Sequence, residues 1–170
     1  MKKTSVAIFA IAAILSAVLG IPAARGQAGA PSAASQPYQV LTSQSLDETV
    51  KGLQSGNAIK NLISGSGIGC RVFIQHEKDV STNQAEVHDG ADDIFIFLEG
   101  MATLTLGGKL DSPAQAQPGE WRAASISGGK EVKVGKGDVV IVPRGTAHVR
   151  RTAGQEVTLM VIKSFTPAPK

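Results

Sequence analysis

The sequence has little cysteine, few aromatic residues and no lasting excess of one charge. Its 170 residues include a single cysteine, Cys70, and only 4% aromatic residues. One cysteine excludes an internal disulfide and a cysteine-rich zinc site. Of the 17 Lys and Arg residues, three lie before residue 27, which leaves 14 against 14 acidic residues. This balance, without a clustered basic stripe, argues against nucleic acid and an anionic membrane surface as partners.

The N-terminal residues predict an export signal. Two lysines precede an almost uncharged apolar stretch, residues 6–21, and small residues then favour cleavage before Gln27. This layout is typical of a secretory signal peptide over residues 1–26. An uncleaved membrane anchor is the alternative, although the apolar stretch is slightly short for a bilayer span. We therefore expect an exported protein, periplasmic or secreted, with membrane contact only if the signal is retained.

Composition separates a linker and a helical segment from the rest of the chain. Residues 27–44 are rich in Ala, Ser, Gln and Pro, which is typical of a flexible linker. Ser45 and Glu48 form a capping-box pattern. It predicts a short helical segment over residues 45–64, with a second helical turn near 58–62.

Residues 65–166 change to short strand-forming runs separated by Gly, Pro and Asp, and a tail follows at 167–170. The predicted strands lie near 69–77, 84–88, 94–99, 101–106, 131–134, 138–142, 146–151 and 156–164. Residues 94–98 are apolar on both faces, as in a strand that another sheet covers. So many short strands without helical periodicity predict one all-β domain, a sandwich or a barrel.

Acidic residues crowd one histidine in "EVHDGADD", residues 86–93, although the chain has only three histidines. Side chains alternate along a strand, so Glu86 and His88 share one face. Asp93 begins the next strand and can turn into the same cavity. His148 begins a return strand in "GDVVIVPRGTAHVRR" and is the fourth candidate. Two ligands spaced two residues apart on an inward face are typical of a metal site in a β-barrel.

The segment around His148 resembles the second motif of the cupin family, G-x5-P-x-G-x2-H-x3-N. Gly137, Pro143, Gly145 and His148 match it in order, while Thr152 replaces the final Asn. The resemblance covers roughly residues 68 to 165 and implies a double-stranded β-helix, the cupin jelly-roll barrel, with a short N-terminal helical segment before it.

The first cupin motif, G-x5-H-x-H-x(3,4)-E-x6-G, fits when it is anchored on Gly100. Asp93 then occupies the Glu position, His88 the second His, and Glu86 stands where the first His is expected. The resemblance implies one divalent metal held by Glu86, His88, Asp93 and His148. Two imidazoles and two carboxylates favour Mn(II), Fe(II) or Zn(II). The alternative is a barrel that has lost its metal, with Glu86 and His88 as an ion pair.

The resemblance implies a small molecule as substrate or ligand. One hypothesis is a metal-dependent enzyme, an oxygenase, isomerase or decarboxylase, that acts on a small polar molecule. Another is a non-catalytic binding module for a sugar-like or acidic ligand, and a third is a purely structural or oligomer-forming protein. The sequence does not decide whether the protein is an enzyme. A homodimer is expected from the family.

Two residues and one segment have alternative interpretations. Glu86 is a candidate catalytic residue because it can ligate the metal or move a proton. His76, on the strand before the first motif, is either a general base over the metal or a histidine of the barrel wall. Residues 107–130 form either a lid, with Trp121 over a ligand and Arg122 on its carboxylate or phosphate, or a surface excursion.

Overall fold

The computed structural model describes residues 33–34, 37–65 and 68–165. These residues contain one helix, α1, at Ser43–Leu53. The strands are β1 Ala58–Ile63, β2 Cys70–Lys78, β3 Ala85–His88, β4 Asp92–Leu106, β5 Lys109–Leu110, β6 Ala114–Gln117, β7 Glu120–Ala123, β8 Ile126–Ser127, β9 Lys130–Gly135, β10 Val139–Val142, β11 His148–Arg151 and β12 Glu156–Ser164. The predicted signal peptide and tail lie outside the described residues, as does part of the linker.

The predicted helical segment is partly wrong. The N-cap is Thr42, three residues before the predicted one, and its Oγ1 accepts from the Ser45 N–H at 3.2 Å. Residues 58–63 are not a second helical turn but strand β1, which pairs antiparallel with β2. Pairing along a sheet edge overrides a weak local helical preference. Among the described residues no helix is long and apolar enough to cross a bilayer.

The strands pair antiparallel, and strand β4 joins two sheets. Its first half lies between β12 and β10, in a sheet that continues through β2 to β1. Its second half lies between β9 and β11, in a sheet that continues through β3 and β7 to β6. Gly100 (φ +73°) stands where β4 changes sheet, and a Cβ there would collide with the Glu156 carbonyl. Glycine alone fits this close approach.

The two sheets enclose an apolar core with their facing sides. Its buried members are Phe73, Phe95, Phe97, Ala102, Leu104, Val134, Val142, Val157, Leu159 and Val161. In β4, Phe95 and Phe97 are buried, whereas Ile96 on the other face is only half-buried. Residues 94–98 are therefore not fully covered on both faces as predicted. The predicted all-β jelly-roll barrel with a short N-terminal helix is confirmed.

Candidate metal centre

Three neighbouring strands bring the four predicted ligands together. Strand β11 lies between β4 and β3, and His148 is directly opposite Glu86. Strand alternation places Glu86 and His88 on one face of β3, and Asp93 turns inward at the start of β4. One ligand atom from each of the four side chains lies within 4.8 Å of all the others. The geometry that strand parity predicts is therefore present, and the metal-binding role stays a prediction.

The two histidines point their Nε2 atoms at the two carboxylates. His88 Nε2 lies 3.2 Å from Asp93 Oδ2 and 3.7 Å from Glu86 Oε1. His148 Nε2 lies 3.3 Å from Glu86 Oε1 and 3.5 Å from Asp93 Oδ2. Within the described part of the chain, both Nε2 atoms are buried and neither has a hydrogen-bond partner. Buried polar atoms without partners are costly, so this convergence is typical of a ligand site.

The Nδ1 atoms of both histidines lie on the ring side away from the carboxylates, and each has a hydrogen-bond acceptor there. His88 Nδ1 lies 2.6 Å from Glu120 Oε2, and His148 Nδ1 lies 3.0 Å from the Thr146 carbonyl oxygen. Both partners accept hydrogen bonds, so each Nδ1 carries a proton that it donates. In the neutral imidazole, the lone pair then sits on Nε2 and faces the cluster. Metal-binding histidines are commonly oriented in this way.

Each carboxylate of the cluster divides its two oxygens between the histidines and a cation. Glu86 directs Oε1 at both histidines, while its Oε2 lies 3.0 Å from Arg122 Nη2. Asp93 directs Oδ2 at both histidines, while its Oδ1 lies 3.1 Å from Lys163 Nζ. Arg122 and Lys163 therefore offset the two carboxylate charges from outside the cluster.

The cluster favours charged side chains even though it is buried. Burial opposes ionisation, but His148, His88 and the charge of Arg122 hold the pKa of the Glu86 carboxyl well below its usual range. Histidine contacts likewise lower the pKa of Asp93 against the effect of burial. Burial lowers the pKa of His88, yet the Asp93 and Glu86 carboxylates raise it to about 9. Burial also lowers the pKa of His148, but the contacts with Asp93 and Glu86 outweigh it, so that the pKa is raised.

These residues fit a divalent cation. Without a metal, protons on the imidazoles balance two ionised carboxylates, and a cation that accepts both Nε2 lone pairs can replace those protons. Two imidazole nitrogens and two carboxylate oxygens suit Mn(II), Fe(II) or Zn(II). The cluster lines a cavity of about 730 Å³, large enough for a small molecule beside a metal.

The structure does not bring His76 to this cluster. On β2, Phe73, Gln75 and Glu77 line the cavity, and alternation turns His76 to the opposite face. There it is buried, and its Nδ1 lies 2.8 Å from Thr158 Oγ1. A base above the metal does not fit this position, whereas a histidine of the barrel wall does.

The segment 107–130 extends the second sheet to its edge strand β6, and Gln117, Glu120 and Arg122 from it line the cavity. It contains the hairpin β6–β7, and β7 pairs with β3. Trp121 Nε1 donates to Asp89 Oδ2 at 2.8 Å, so the tryptophan does not cover the cavity as predicted. Arg122 pairs with Glu86 and, at 3.4 Å, with Glu120. Arg122 thus already pairs with two acids of the protein, and its predicted role, holding a ligand's carboxylate or phosphate, stays a prediction.

Sequence reasoning missed Glu120. Its contact with His88 depends on β7 lying antiparallel beside β3, with Glu120 opposite His88. The only local signal is a Pro-Gly turn before "EWRA", which indicates a strand start without naming its neighbour.

The fold matches the double-stranded β-helix that the resemblance to the cupin family implies. Among solved structures, a protein from Bacillus halodurans is 18% identical, with 79% of this chain and 86% of that one covered and a TM-score of 0.50. A protein from Neisseria meningitidis is 11% identical, with 74% and 99% covered and a TM-score of 0.51.

A cupin-like protein from Thermotoga maritima is 18% identical, with 65% of this chain and 72% of that one covered and a TM-score of 0.45. No family model and no curated protein matches the sequence. At such identities the similarity concerns the fold alone.

Proposed function

We propose that the protein binds one divalent metal ion through Glu86, His88, Asp93 and His148 and acts on a small polar molecule beside it. The observation that carries the proposal is the pair of buried Nε2 atoms without hydrogen-bond partners among the described residues, aimed at two carboxylates in an open cavity. The acceptors behind both Nδ1 atoms support the proposal, because they leave each Nε2 facing the cluster.

The four ligands have different access to the cavity. The Asp93 side chain is 3% exposed and both histidine side chains are equally buried, whereas the Glu86 side chain is 31% exposed. Glu86 is therefore the group that can exchange a proton with a bound substrate. We assign the holding or moving of the proton to Glu86 in the arrangement in which His88, Asp93 and His148 hold the metal.

A bound divalent metal would act as a Lewis acid that polarises a substrate oxygen. The remaining tasks fall to the protein: the Glu120 and Thr146 acceptors orient the imidazoles, and Arg122 and Lys163 fix the carboxylates. Proton transfer at Glu86 serves an isomerase or a decarboxylase. Two histidines and one carboxylate also satisfy the facial triad of an oxygenase, so the proposed reaction belongs to one of these three classes.

The test is metal content by mass spectrometry on the chain purified without chelating resin. We expect about one Mn, Fe or Zn per chain, and a loss in both His88→Ala and His148→Ala. His76→Gln is the matched control, because it alters the third histidine outside the cluster and should retain the metal. Circular dichroism establishes that each variant is folded.

If His76→Gln lost metal to the same extent, the loss would reflect general damage to the barrel and not the removal of a ligand. No metal in the wild type, even after incubation with each ion, would overturn the proposal and favour the non-catalytic binding module. Oxygen uptake and product analysis on the loaded protein would then separate the three reaction classes.

Export and dimer formation are further parts of the proposal. Export is supported by the signal-like residues 1–26, and N-terminal sequencing of the protein recovered from the cell envelope or medium should begin at Gln27. Homodimer formation is supported by the exposed apolar side chains Val139 and Ile141 on strand β10. Light scattering would show twice the chain mass if it is correct.

A further inference from the structure

We propose that Arg71 and Lys163 form a subsite for the carboxylate of a small organic anion whose other end reaches the metal. The inference rests on the proposed metal function and narrows its small polar molecule to a class of substrate. It concerns side chains on β2 and β12 that line the same cavity as the metal cluster.

Strand register places the two cations in one row with the cluster. Arg71 lies opposite Lys163, and Lys163 lies opposite Asp93. Neighbouring strands are about 4.8 Å apart, so the row extends from the cluster in steps of that size. A carboxylate between Arg71 and Lys163 would therefore lie about 5 to 10 Å from the metal position. A molecule of a few carbon atoms spans that distance.

Arg71 is held in place without being neutralised. Its Nε and Nη2 donate to Asn61 Oδ1 at 2.9 and 2.7 Å, and its guanidinium carbon lies 4.7 Å from the centre of the Phe73 ring. Within the described residues no carboxylate pairs with Arg71. The other two arginines of the cavity are both paired with acids, Arg122 with Glu86 and Arg150 with Glu77.

The donors that remain on Arg71 and Lys163 can hold a carboxylate. The guanidinium keeps both Nη1 hydrogens and one on Nη2 after its bonds to Asn61. Lys163 directs its ammonium at Asp93 and has further hydrogens to donate. Two donor groups on neighbouring strands suit the two oxygens of one carboxylate.

The charge of the cavity also favours an anion. Its lining contains four acids and four bases besides the histidines: Glu77, Glu86, Asp93, Glu120, Arg71, Arg122, Arg150 and Lys163. These charges cancel, so a divalent metal would give the loaded cavity a formal charge of plus two. A dicarboxylate would neutralise that charge, while a neutral sugar would not. Charge of one sign in a cleft attracts the opposite sign.

The experiment is calorimetric titration of the metal-loaded protein with malonate, with metal content measured on every sample. Uncharged malonamide and inorganic phosphate serve as comparison ligands. Arg71→Gln removes the cation without touching a metal ligand, and Arg71→Lys tests whether charge alone restores binding. Lys60→Gln is the matched control, since it removes one exposed cation from the neighbouring strand β1, opposite Ile74 on the face away from the cavity.

We expect Arg71→Gln to weaken malonate binding about 10- to 100-fold at unchanged metal content. Arg71→Lys should recover part of that loss, and Lys60→Gln should bind like the wild type. Equal affinity of wild type and Arg71→Gln, equal binding of malonamide, or tighter binding of phosphate would each overturn the carboxylate subsite.

A second measurement distinguishes failure of the metal proposal from failure of the carboxylate subsite. If the wild type holds no metal, the same malonate titration is followed by the NMR signal of the Arg71 guanidinium in the metal-free protein. A saturable shift of this signal that Lys60→Gln keeps and that malonamide does not produce supports the subsite alone. No shift in the wild type overturns it as well.

Discussion

Two groups of buried charge line the same cavity and differ in whether their hydrogen-bonding capacity is used. The Glu77 carboxylate accepts from Arg150 at 2.7 and 2.8 Å, from Gln75 at 2.6 Å and from Asn83 at 3.3 Å. In the metal cluster, by contrast, the Nε2 atoms of His88 and His148 have no hydrogen-bond partner within the described residues. The first group uses its hydrogen-bonding capacity within the protein, whereas the second is the proposed site of a metal.

This difference distinguishes charged side chains that stabilise the fold from charged side chains that are available to a ligand. A paired and fully hydrogen-bonded carboxylate contributes to the folded state but offers nothing to a ligand. Buried polar atoms without hydrogen-bond partners cost stability, and a cluster of them is a candidate binding site. Variants in the two groups should therefore change different properties. A change at the Glu77 pair should lower the stability of the fold, and a change in the cluster should lower the metal content.

The largest effect is expected for Glu77→Ala. The Arg150 and Glu77 side chains are 10% and 5% exposed, so the variant leaves a nearly buried guanidinium without its carboxylate. We expect a loss of about 3 to 5 kcal/mol in the free energy of unfolding, measured by urea denaturation. Metal stoichiometry of the folded fraction should not change. A variant that loses metal while keeping its stability would place Glu77 in the metal site and contradict the distinction.

The next effect is stabilisation by the metal itself. A ligand that binds only the folded state, at one hundred times its dissociation constant, adds about 2.7 kcal/mol to stability. Thermal denaturation of the chain with and without Mn(II) or Zn(II) measures this shift. The shift should disappear in His148→Ala and persist in His76→Gln. An equal shift in both variants would show that the ion binds elsewhere on the chain.

The sequence predicts the cluster well because its information is local. Period-two alternation puts Glu86 and His88 on one face, and the turn at Pro143 and Gly145 positions His148 on a return strand. The second cupin motif then supplies the relation between the two halves. Strand positions near the motifs follow for the same reason, and the start of β12 agrees with its prediction.

Long-range pairing explains what the sequence does not predict. Ala58–Ile63 becomes a strand only because β2 offers a sheet edge, and Glu120 reaches His88 only because β7 pairs with β3. His76 could be placed on either side of the barrel until the inward face of β2 was known. Such choices depend on register between distant segments, which local patterns do not encode.

A smaller effect is expected from Glu120→Gln. The amide oxygen can still accept from His88 Nδ1, but the negative charge behind the imidazole is removed. Changes behind a metal-bound histidine typically weaken metal affinity about 10- to 100-fold. Competition with a fluorescent chelator measures the affinity, and Glu131→Gln on the exposed part of β9 is the control. Unchanged affinity would mean that Glu120 only ties the β6–β7 hairpin to the barrel.

The last effect is the pH dependence of metal affinity, which is gradual at each step of pH. Without metal, the Asp93 and Glu86 carboxylates outweigh burial and raise the pKa of His88 to about 9. Below that pH a metal must displace the proton, so affinity should rise with pH and level off above about 9. The slope should be about tenfold per pH unit for each proton released. The EPR signal of free Mn(II) between pH 6 and 8 measures it, and a flat profile would show that the imidazoles are neutral before metal binds.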